Sequence, residues 1–213
     1  MYKHGTNLRL LDERSIFIGD DVIIGDNVTI YENNRIEGAC VIGDGVVLYP
    51  GNLIRDTSID CGSLLYSTHA EQSEIGARVS VGPYAHLRAH SRVRDGAKIG
   101  NFVEIKNSVI GEGSKVAHLA YVGDADVGRG CNIGCGAIFV NYNGKSKSRI
   151  TVGDNCFIGS NCNLIAPLVI EKNSYVCAAT TVNVDVGEGD FVIGRARQEI
   201  KHGRAYGYLK EVW

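Results

Sequence analysis

The sequence has little proline and no long hydrophobic run, and these absences exclude several kinds of protein. It contains 3 Pro but 27 Gly in 213 residues, whereas collagen-like and low-complexity chains are rich in both. No run of about 20 apolar residues is present, so no transmembrane helix is predicted. The opening residues, MYKHGTNLRLLDE, lack the apolar segment of a secretory signal. We therefore expect an ordered protein with no membrane partner.

Charge of one sign and paired cysteines are also lacking. The chain has 22 Lys and Arg against 24 Asp and Glu, for a net charge of -2, so the basic stripe of a general nucleic-acid-binding protein is absent. Its 7 Cys are odd in number and include no C-x-x-C pair, which argues against a disulfide framework. Free thiols predict a reducing compartment, and we expect a cytoplasmic protein.

An aliphatic residue recurs every six residues through most of the chain. This spacing runs through residues 18–54, 75–105 and 152–182. Two triplets with the same spacing, each entered by a step of five, lie between these runs: Ile110, Val116, Val122 and Val127, Ile133, Phe139. Glycine often follows the aliphatic residue, and a small residue often stands four positions after it. A period of six fits neither an amphipathic helix nor a simple alternating strand.

Such a six-residue unit predicts one short strand and one corner, with the aliphatic and the small residue both pointing inward. Three units close a triangular coil, and coils stack by parallel strand pairing about 4.8 Å apart. This pattern is typical of the left-handed parallel β-helix of the hexapeptide-repeat proteins, an all-β fold. The left hand comes from that resemblance, because the general rule for parallel connections favours the right hand.

We expect the β-helix to occupy residues 1–193, with two interruptions of the repeat. Residues 55–74 blur it and predict a loop or an irregular coil, in which Ile59 and Leu65 are candidate aliphatic positions. The segment 141–150 predicts a protruding loop.

The C-terminal segment, residues 194–213, follows the end of the repeat. It is basic and aromatic and has room for one short helix. It is too short to bury itself, so we expect it to pack on a neighbouring subunit.

The cysteines and histidines do not indicate a metal site. Four cysteines fall at the small inward position and are interpreted as core residues: Cys40, Cys131, Cys156 and Cys162. Cys135 falls at an outward position. His86, His90 and His118 stand at different offsets from their aliphatic residues, so their side chains do not converge. We predict that no metal is required.

Counting aliphatic positions in threes places Arg88 and Lys106 directly above one another on one face, here named the first face. The two residues are 18 apart and each follows its aliphatic residue by one. Two cations about 5 Å apart repel by roughly 1 kcal/mol in water. The spacing permits two interpretations: long side chains that spread into solvent, or an anion site, most plausibly for phosphate.

The third face carries a column of residues that stand two positions after their aliphatic residue. The column is Asn101, His118, Cys135, Ser160 and Ala178, if the 13-residue step from Phe139 to Val152 advances one face. Small side chains above a histidine would leave a shallow groove for an extended thiol-terminated arm, with its acyl end at the imidazole. An isolated histidine above small filler residues is the alternative.

Several segments resemble a known family beyond the general hexapeptide pattern. They include GPYAHLR, NFVEIKNS, AHLAYVGDADVG, CNIGCGAIFVNYNGKSK, GSNCNLIAP and AATTV. They are similar to the acetyltransferase domain of the bifunctional N-acetylglucosamine-1-phosphate uridyltransferase/glucosamine-1-phosphate acetyltransferase. The resemblance runs from about Asp12 into the C-terminal segment. The uridyltransferase half has no counterpart here, which leaves a place for a separate uridyltransferase as a partner.

The resemblance implies roles for particular residues. His118 would be the general base, and Asn141 with Tyr142 would match an Asn-Tyr pair at the site of acetyl transfer. The residues implied in binding the sugar phosphate are Arg88, Lys106, Tyr121, Asn132 and Lys147. The residues implied in binding acetyl-CoA are Cys135, Ser160, Ala178 and Arg195. Cys135 stands where the family commonly has Ala, and Ala89 stands where it has Pro.

The function implied is N-acetylation of glucosamine 1-phosphate by acetyl-CoA, for UDP-N-acetylglucosamine and cell-envelope synthesis. Family members are homotrimers with active sites between subunits. Two alternatives stay open at the level of sequence. The acceptor could be another amino-sugar phosphate or a nucleotide-linked amino sugar, or the chain could be a non-catalytic scaffold for a separate nucleotidyltransferase. The joint presence of His118, Asn141, Tyr142 and the Arg88/Lys106 pair disfavours the scaffold.

Overall fold

Three parallel β-sheets form the three sides of the molecule in a computed structural model that describes residues 2–208. Within those residues the sheets have 10, 11 and 10 strands, and every strand pairs with the strand three positions earlier or later in the chain, except at the C-terminal end. The chain thus winds once around the molecule for every three strands, as a left-handed parallel β-helix. The described part contains no helix that is long and apolar enough to cross a bilayer.

The three sheets correspond to the three faces expected from the repeat. The first sheet contains β3 (Phe17–Ile18), β6 (Arg35–Glu37), β9 (Leu53–Arg55), β12 (His69–Glu71), β15 (His86–Leu87), β18 (Glu104–Lys106), β21 (Tyr121–Gly123), β24 (Ile138–Val140), β27 (Asn163–Ile165) and β30 (Thr181–Val182). The second contains β1 (Lys3–His4), β4 (Ile23–Ile24), β7 (Val41–Ile42), β10 (Ser58–Ile59), β13 (Glu74–Ile75), β16 (Arg92–Val93), β19 (Val109–Ile110), β22 (Ala125–Val127), β25 (Ile150–Val152) and β28 (Leu168–Ile170). The third contains β2 (Arg9–Leu10), β5 (Thr29–Ile30), β8 (Val47–Leu48), β11 (Leu64–Leu65), β14 (Ser80–Val81), β17 (Lys98–Asn101), β20 (Lys115–His118), β23 (Asn132–Ile133), β26 (Phe157–Ile158), β29 (Tyr175–Val176) and β31 (Phe191–Val192).

The aliphatic positions form one continuous core along the axis of the helix. Leu87, Ile99 and Ile105 are fully buried and lie in register with the aliphatic residues of the coils above and below. The small residues four positions further on are also buried, for example Val28 and Ala97. The four cysteines predicted to face inward are buried, as expected. Burial of each aliphatic side chain contributes about 1.5 to 3 kcal/mol, which explains why a two-residue strand suffices in every unit.

The expectation of a loop or an irregular coil over residues 55–74 is wrong. Strands β10, β11 and β12 continue all three sheets through this segment, and Ile59 and Leu65 are buried aliphatic positions. Ala70 occupies the aliphatic position that follows Ile59 and Leu65, and its small side chain gives little hydrophobic signal in the sequence. The corners here are one residue shorter than usual, and residues such as Asp56 and Gln72 adopt the left-handed conformation with φ of 47° and 43°. Polar residues tolerate that conformation, so the turn needs no glycine.

Residues 141–149 form a loop between β24 and β25. Its tip is a turn in which Oδ1 of Asn143 accepts hydrogen bonds from the amides of Lys145 and Ser146, at 2.9 and 2.8 Å. At its base, Arg149 forms an ion pair of 2.5 Å with Asp126 on β22. The loop is therefore fixed to the β-helix at the corner between the first and second sheets.

The C-terminal segment leaves the β-helix after β31. Its only helix within the described residues is a short 3-10 helix, Arg204–Gly207, and Tyr206 and Tyr208 beside it are exposed by 86% and 80%. The expectation that this segment packs on a neighbouring subunit stays a prediction. Met1 and residues 209–213, which that expectation and the predicted β-helix bounds include, lie outside the described residues.

Candidate functional site

A pocket of about 420 Å³ lies at the corner between the first and second sheets, beneath the protruding loop. It is lined by Glu71, Arg88, Ala89, His90, Lys106, Asn107, Asp124 and Lys147. The stacked coils supply all of these side chains except Lys147, which the loop supplies. The structure thus brings together three of the cations that the sequence assigned to one anion site.

Arg88 and Lys106 are not two free cations that spread into solvent. Arg88 directly follows β15 and Lys106 ends β18, one coil apart, as the count in threes predicted. Arg88, however, donates a hydrogen bond of 2.8 Å to Glu104, two residues before Lys106. This bond, more than any other contact, raises the pKa of Arg88 above its usual range. An incoming anion must therefore compete with the Glu104 carboxylate for Arg88.

Lys106 has a second cation beside it. The ammonium group of Lys147 and partial burial both lower the pKa of Lys106 below its usual range. The charge of Asp124 opposes this effect. Two ammonium groups and a guanidinium around one pocket favour a ligand with more than one negative charge, such as a phosphate monoester dianion.

Asp124 joins this pocket to Asn141. Its side chain accepts a hydrogen bond of 2.6 Å from Asn107 and a short one from Asn141. The hydroxyl of Tyr121 lies 3.4 Å from the same Asn141 nitrogen. Asn141 and Asp124 are only 7% and 8% exposed, so this is a buried polar network at the base of the loop. The sequence placed Asn141 and Tyr121 in the site without indicating that Asp124 connects them.

Gly123 fixes the position of the Tyr121 ring. A Cβ atom at Gly123 would collide with the ring and hydroxyl of Tyr121, which folds back over this glycine. We expect Gly123→Ala to displace the Tyr121 hydroxyl from Asn141 and to lower kcat/KM for the amino-sugar phosphate that the resemblance implies as acceptor by about tenfold, because small misplacements at a reacting centre are costly. Steady-state kinetics with an amino-sugar phosphate checks this.

The matched control for that change is Gly19→Ala, since a Cβ there meets no atom closer than 3.4 Å. Both variants are expected to unfold within about 3 °C of the parent, as the collision involves a side chain that can move and not the backbone. Unchanged kinetics in Gly123→Ala would show that the position of the Tyr121 hydroxyl has no role in turnover.

His118 lies at a different corner, between the third and first sheets. It ends β20, is exposed, and its Nδ1 is 2.7 Å from Oδ1 of Asn101 on the coil below. An amide oxygen only accepts hydrogen bonds, so Nδ1 carries the proton and Nε2 keeps a free lone pair. Asn101 thus orients the imidazole and leaves Nε2 as the basic nitrogen. The sequence placed Asn101 in the same column but gave it no role.

The rest of the third-face column is arranged as predicted. The carbonyls of Cys135 and Ser160 accept backbone hydrogen bonds of 2.7 and 2.8 Å from Asn161 and Ala179 of the next coil, and the 13-residue step does advance one face. A Cβ at Gly159 would collide with the backbone at Ala178, so the coils approach closely and the surface beside Ser160 stays shallow. Arg195 donates a hydrogen bond of 2.8 Å to the carbonyl of Ala178. One strip of surface therefore runs from His118 to a cation at the start of the C-terminal segment.

Two predicted residues are not joined to these clusters within one chain. Asn132 lies on β23 of the third sheet, between Lys115 and Phe157 of the adjacent coils. Tyr142 is 55% exposed, and its hydroxyl donates a hydrogen bond of 2.7 Å to the carbonyl of Gly144 in the loop. Neither contacts His118.

The two clusters lie at opposite edges of the first sheet. Leu119 and Asp124, both with φ of 49°, mark its two corners in the same coil. The intervening strand at about 3.3 Å per residue separates those corners by roughly 15 Å. The Lys106 pocket and His118 therefore lie at corners about one strand length apart within a single chain.

No three His, Cys, Asp or Glu residues in the described part of the chain lie close enough together to hold a metal ion. The stacked pair His69 and His86, with ring centroids 4.6 Å apart, is the nearest approach to a histidine cluster near the pocket. The expectation that no metal is required stays a prediction.

Comparison with known proteins agrees with the fold. The family described as bacterial transferase hexapeptide (six repeats) matches residues 17–56. The bifunctional protein GlmU of Clostridium novyi (strain NT) is 47% identical over 189 residues, which are 89% of this chain and 41% of that protein. GlmU of Caldicellulosiruptor saccharolyticus is 49% identical over 196 residues, 92% of this chain and 42% of that protein. The chain thus spans less than half the length of these curated relatives.

Among solved structures, UDP-N-acetylglucosamine acyltransferase from Campylobacter jejuni has the same fold, with a TM-score of 0.50, 18% identity, and coverage of 90% of this chain and 71% of that one. Residues 17–56 are thus similar to the hexapeptide-repeat transferases, and about nine-tenths of the chain is similar to a part of the bifunctional protein GlmU.

Proposed function

We propose that the chain transfers an acetyl group from acetyl-CoA to the amine of glucosamine 1-phosphate, giving N-acetylglucosamine 1-phosphate. The pocket lined by Arg88, Lys106 and Lys147 supports this most directly, because three cations around about 420 Å³ suit the dianion of a sugar phosphate. The relatives named GlmU support the same acceptor.

In the proposed reaction His118 acts as general base. Its Nε2 takes a proton from the sugar amine while the amine nitrogen attacks the acetyl carbon of the thioester. The carbon–sulfur bond then breaks, and CoA takes up a proton and leaves as the thiol. The strip of Cys135, Ser160 and Ala178 holds the extended arm of CoA, and Arg195 binds one of its phosphates.

We further propose that the active protein is a homotrimer with each site between two subunits. The separation of His118 from the Lys106 pocket across the first sheet supports this, since a neighbouring copy can bring the two together. Asn132, Tyr142 and the C-terminal segment are each exposed or half-buried in one chain and are then available to complete a neighbour's site.

Release of CoA thiol, measured across a panel of amino sugars, tests the function. We expect turnover with glucosamine 1-phosphate, and kcat/KM at least about 100-fold lower with glucosamine, because the free sugar leaves the cationic pocket empty. The panel includes galactosamine 1-phosphate and a nucleotide-linked amino sugar. Preference for either would replace the proposed acceptor, and no turnover with any of them would favour a scaffold.

A further inference from the structure

Asp124 stands where the phosphate pocket, the loop and Asn141 meet. Its backbone amide donates a hydrogen bond of 3.0 Å to the carbonyl of Lys106, and its carbonyl accepts one of 3.1 Å from Ile150 at the end of the loop. Its φ of 49° lies in the left-handed region, which turns the chain sharply at the shortened corner. Asp124 is therefore fixed to the coil below and to the chain that returns from the loop above.

Both carboxylate oxygens of Asp124 are used, and each accepts from an amide nitrogen. Oδ1 accepts from Nδ2 of Asn107, and Oδ2 accepts from Nδ2 of Asn141. The second bond sets the orientation of the Asn141 amide: its nitrogen points to Asp124 and to the Tyr121 hydroxyl. Among residues 2–208 no donor reaches Oδ1 of Asn141, so this oxygen is left to accept from a ligand.

The electrostatics keep Asp124 in the form that can do this. Burial opposes ionisation, but the hydrogen bonds from Asn107 and Asn141 and the charges of Lys106 and Lys147 together hold the pKa of Asp124 below its usual range. A carboxylate is an acceptor only, whereas a protonated acid or an amide would present a donor to one of the two asparagines. The network requires two acceptors at this position.

We propose that Asp124 is a positioning residue for acetyl transfer, acting through Asn141. It holds the Asn141 amide so that Oδ1 faces the acceptor amine. The role in turnover rests on the proposed function, whereas the orientation of Asn141 does not.

The first test is Asp124→Asn, which keeps the size of the side chain and replaces one acceptor by a donor. One of the two asparagines then faces a donor, and the Asn141 amide turns or moves. We expect kcat to fall by about 10- to 100-fold, as for a misplaced reacting group. We expect KM for glucosamine 1-phosphate to stay within about twofold, because the three pocket cations remain.

Asp126→Asn is the matched control. It makes the same chemical change two residues further along the chain, on β22, but Asp126 pairs with Arg149 and does not contact Asn141. We expect kcat and KM of this variant to stay within about twofold of the parent. A fall in kcat of equal size in both variants would mean that Asp124 acts only by anchoring the loop, and would overturn the proposal.

A double-mutant cycle with Asn141→Ala tests whether Asp124 acts through Asn141. If it does, adding Asp124→Asn to Asn141→Ala lowers kcat by less than about twofold, since the residue that Asp124 positions is already absent. Losses that multiply would show that Asp124 acts independently of Asn141.

A measurement that does not depend on turnover distinguishes the positioning role of Asp124 from the proposed acetyl transfer. In protein labelled with ¹⁵N-asparagine, the side-chain amide signals of Asn141 are assigned by their loss in Asn141→Ala. We expect them to shift in Asp124→Asn and to stay in place in Asp126→Asn. Absence of acetyl transfer in the parent would reject the proposed function alone, whereas unshifted Asn141 signals in Asp124→Asn would reject the positioning role.

Discussion

Replacing His118 by alanine lowers kcat by about 100-fold or more and leaves the affinity for acetyl-CoA nearly unchanged. The expected size is that of removing a general base from a proton-transfer step. The imidazole is held by Asn101 at 2.7 Å with Nε2 free to accept a proton, while the strip that would bind CoA is made of other residues. Thiol release gives kcat, and calorimetry gives the affinity for acetyl-CoA.

Two further variants make this result specific. His4→Ala removes an exposed histidine of the first coil and is expected to leave kcat unchanged. Asn101→Ala keeps the imidazole but removes its hydrogen-bond partner, and we expect about a tenfold loss of kcat, as for other residues that orient a functional histidine. Turnover of His118→Ala within a few-fold of the parent would contradict the assignment of the base.

Replacing Arg88 by alanine weakens binding of glucosamine 1-phosphate by about 10- to 150-fold. This range corresponds to the roughly 1.5 to 3 kcal/mol of a hydrogen bond between charged groups. The turnover of unphosphorylated glucosamine, where it is measurable, is expected to change little, because only the phosphate contacts Arg88. Binding is measured by calorimetry at fixed ionic strength, since surface electrostatics depends on salt.

The chain offers a close control for this variant. Arg92 and Glu74 form an exposed ion pair of 3.2 Å on the second sheet, similar to that of Arg88 and Glu104 but outside the pocket. Arg92→Ala should leave binding unchanged. Glu104→Gln releases Arg88 from its partner and should not weaken phosphate binding. Equal losses for the phosphorylated and the free sugar in Arg88→Ala would show that Arg88 is structural.

The sequence predicted most of the fold because one signal repeats along the chain. Each aliphatic position is buried against the coils above and below, so even an irregular unit is constrained by its neighbours. The prediction failed at residues 55–74 because Ala70 carries no hydrophobic signal, although it occupies an aliphatic position. A spacing of five between successive aliphatic positions is equally hard to interpret, because the polar residue that adopts the left-handed conformation at such a corner resembles a loop residue.

Within the site, the sequence predicted which residues share a column better than it predicted which side chains contact one another. Counting in threes placed Arg88 below Lys106 and His118 below Cys135, because the period alone fixes these rows. It could not indicate that Glu104 binds Arg88. The sequence also missed Asp124. The left-handed backbone conformation of this corner residue directs its side chain into a buried polar network. The motif GDAD carried a signal for such a residue, because two carboxylates at a corner beside basic residues need partners.

The distance between His118 and the Lys106 pocket has a genetic consequence. In the proposed trimer each site takes its base from one chain and its phosphate pocket from the next. A trimer that contains one chain with a defective base and one with a defective pocket can therefore still have a site in which both parts are intact. Random co-assembly of chains that lack His118 with chains that lack Arg88 leaves about one site in four with both parts intact. Two alleles that are each inactive alone would then complement one another, and the phenotype of either would depend on its companion.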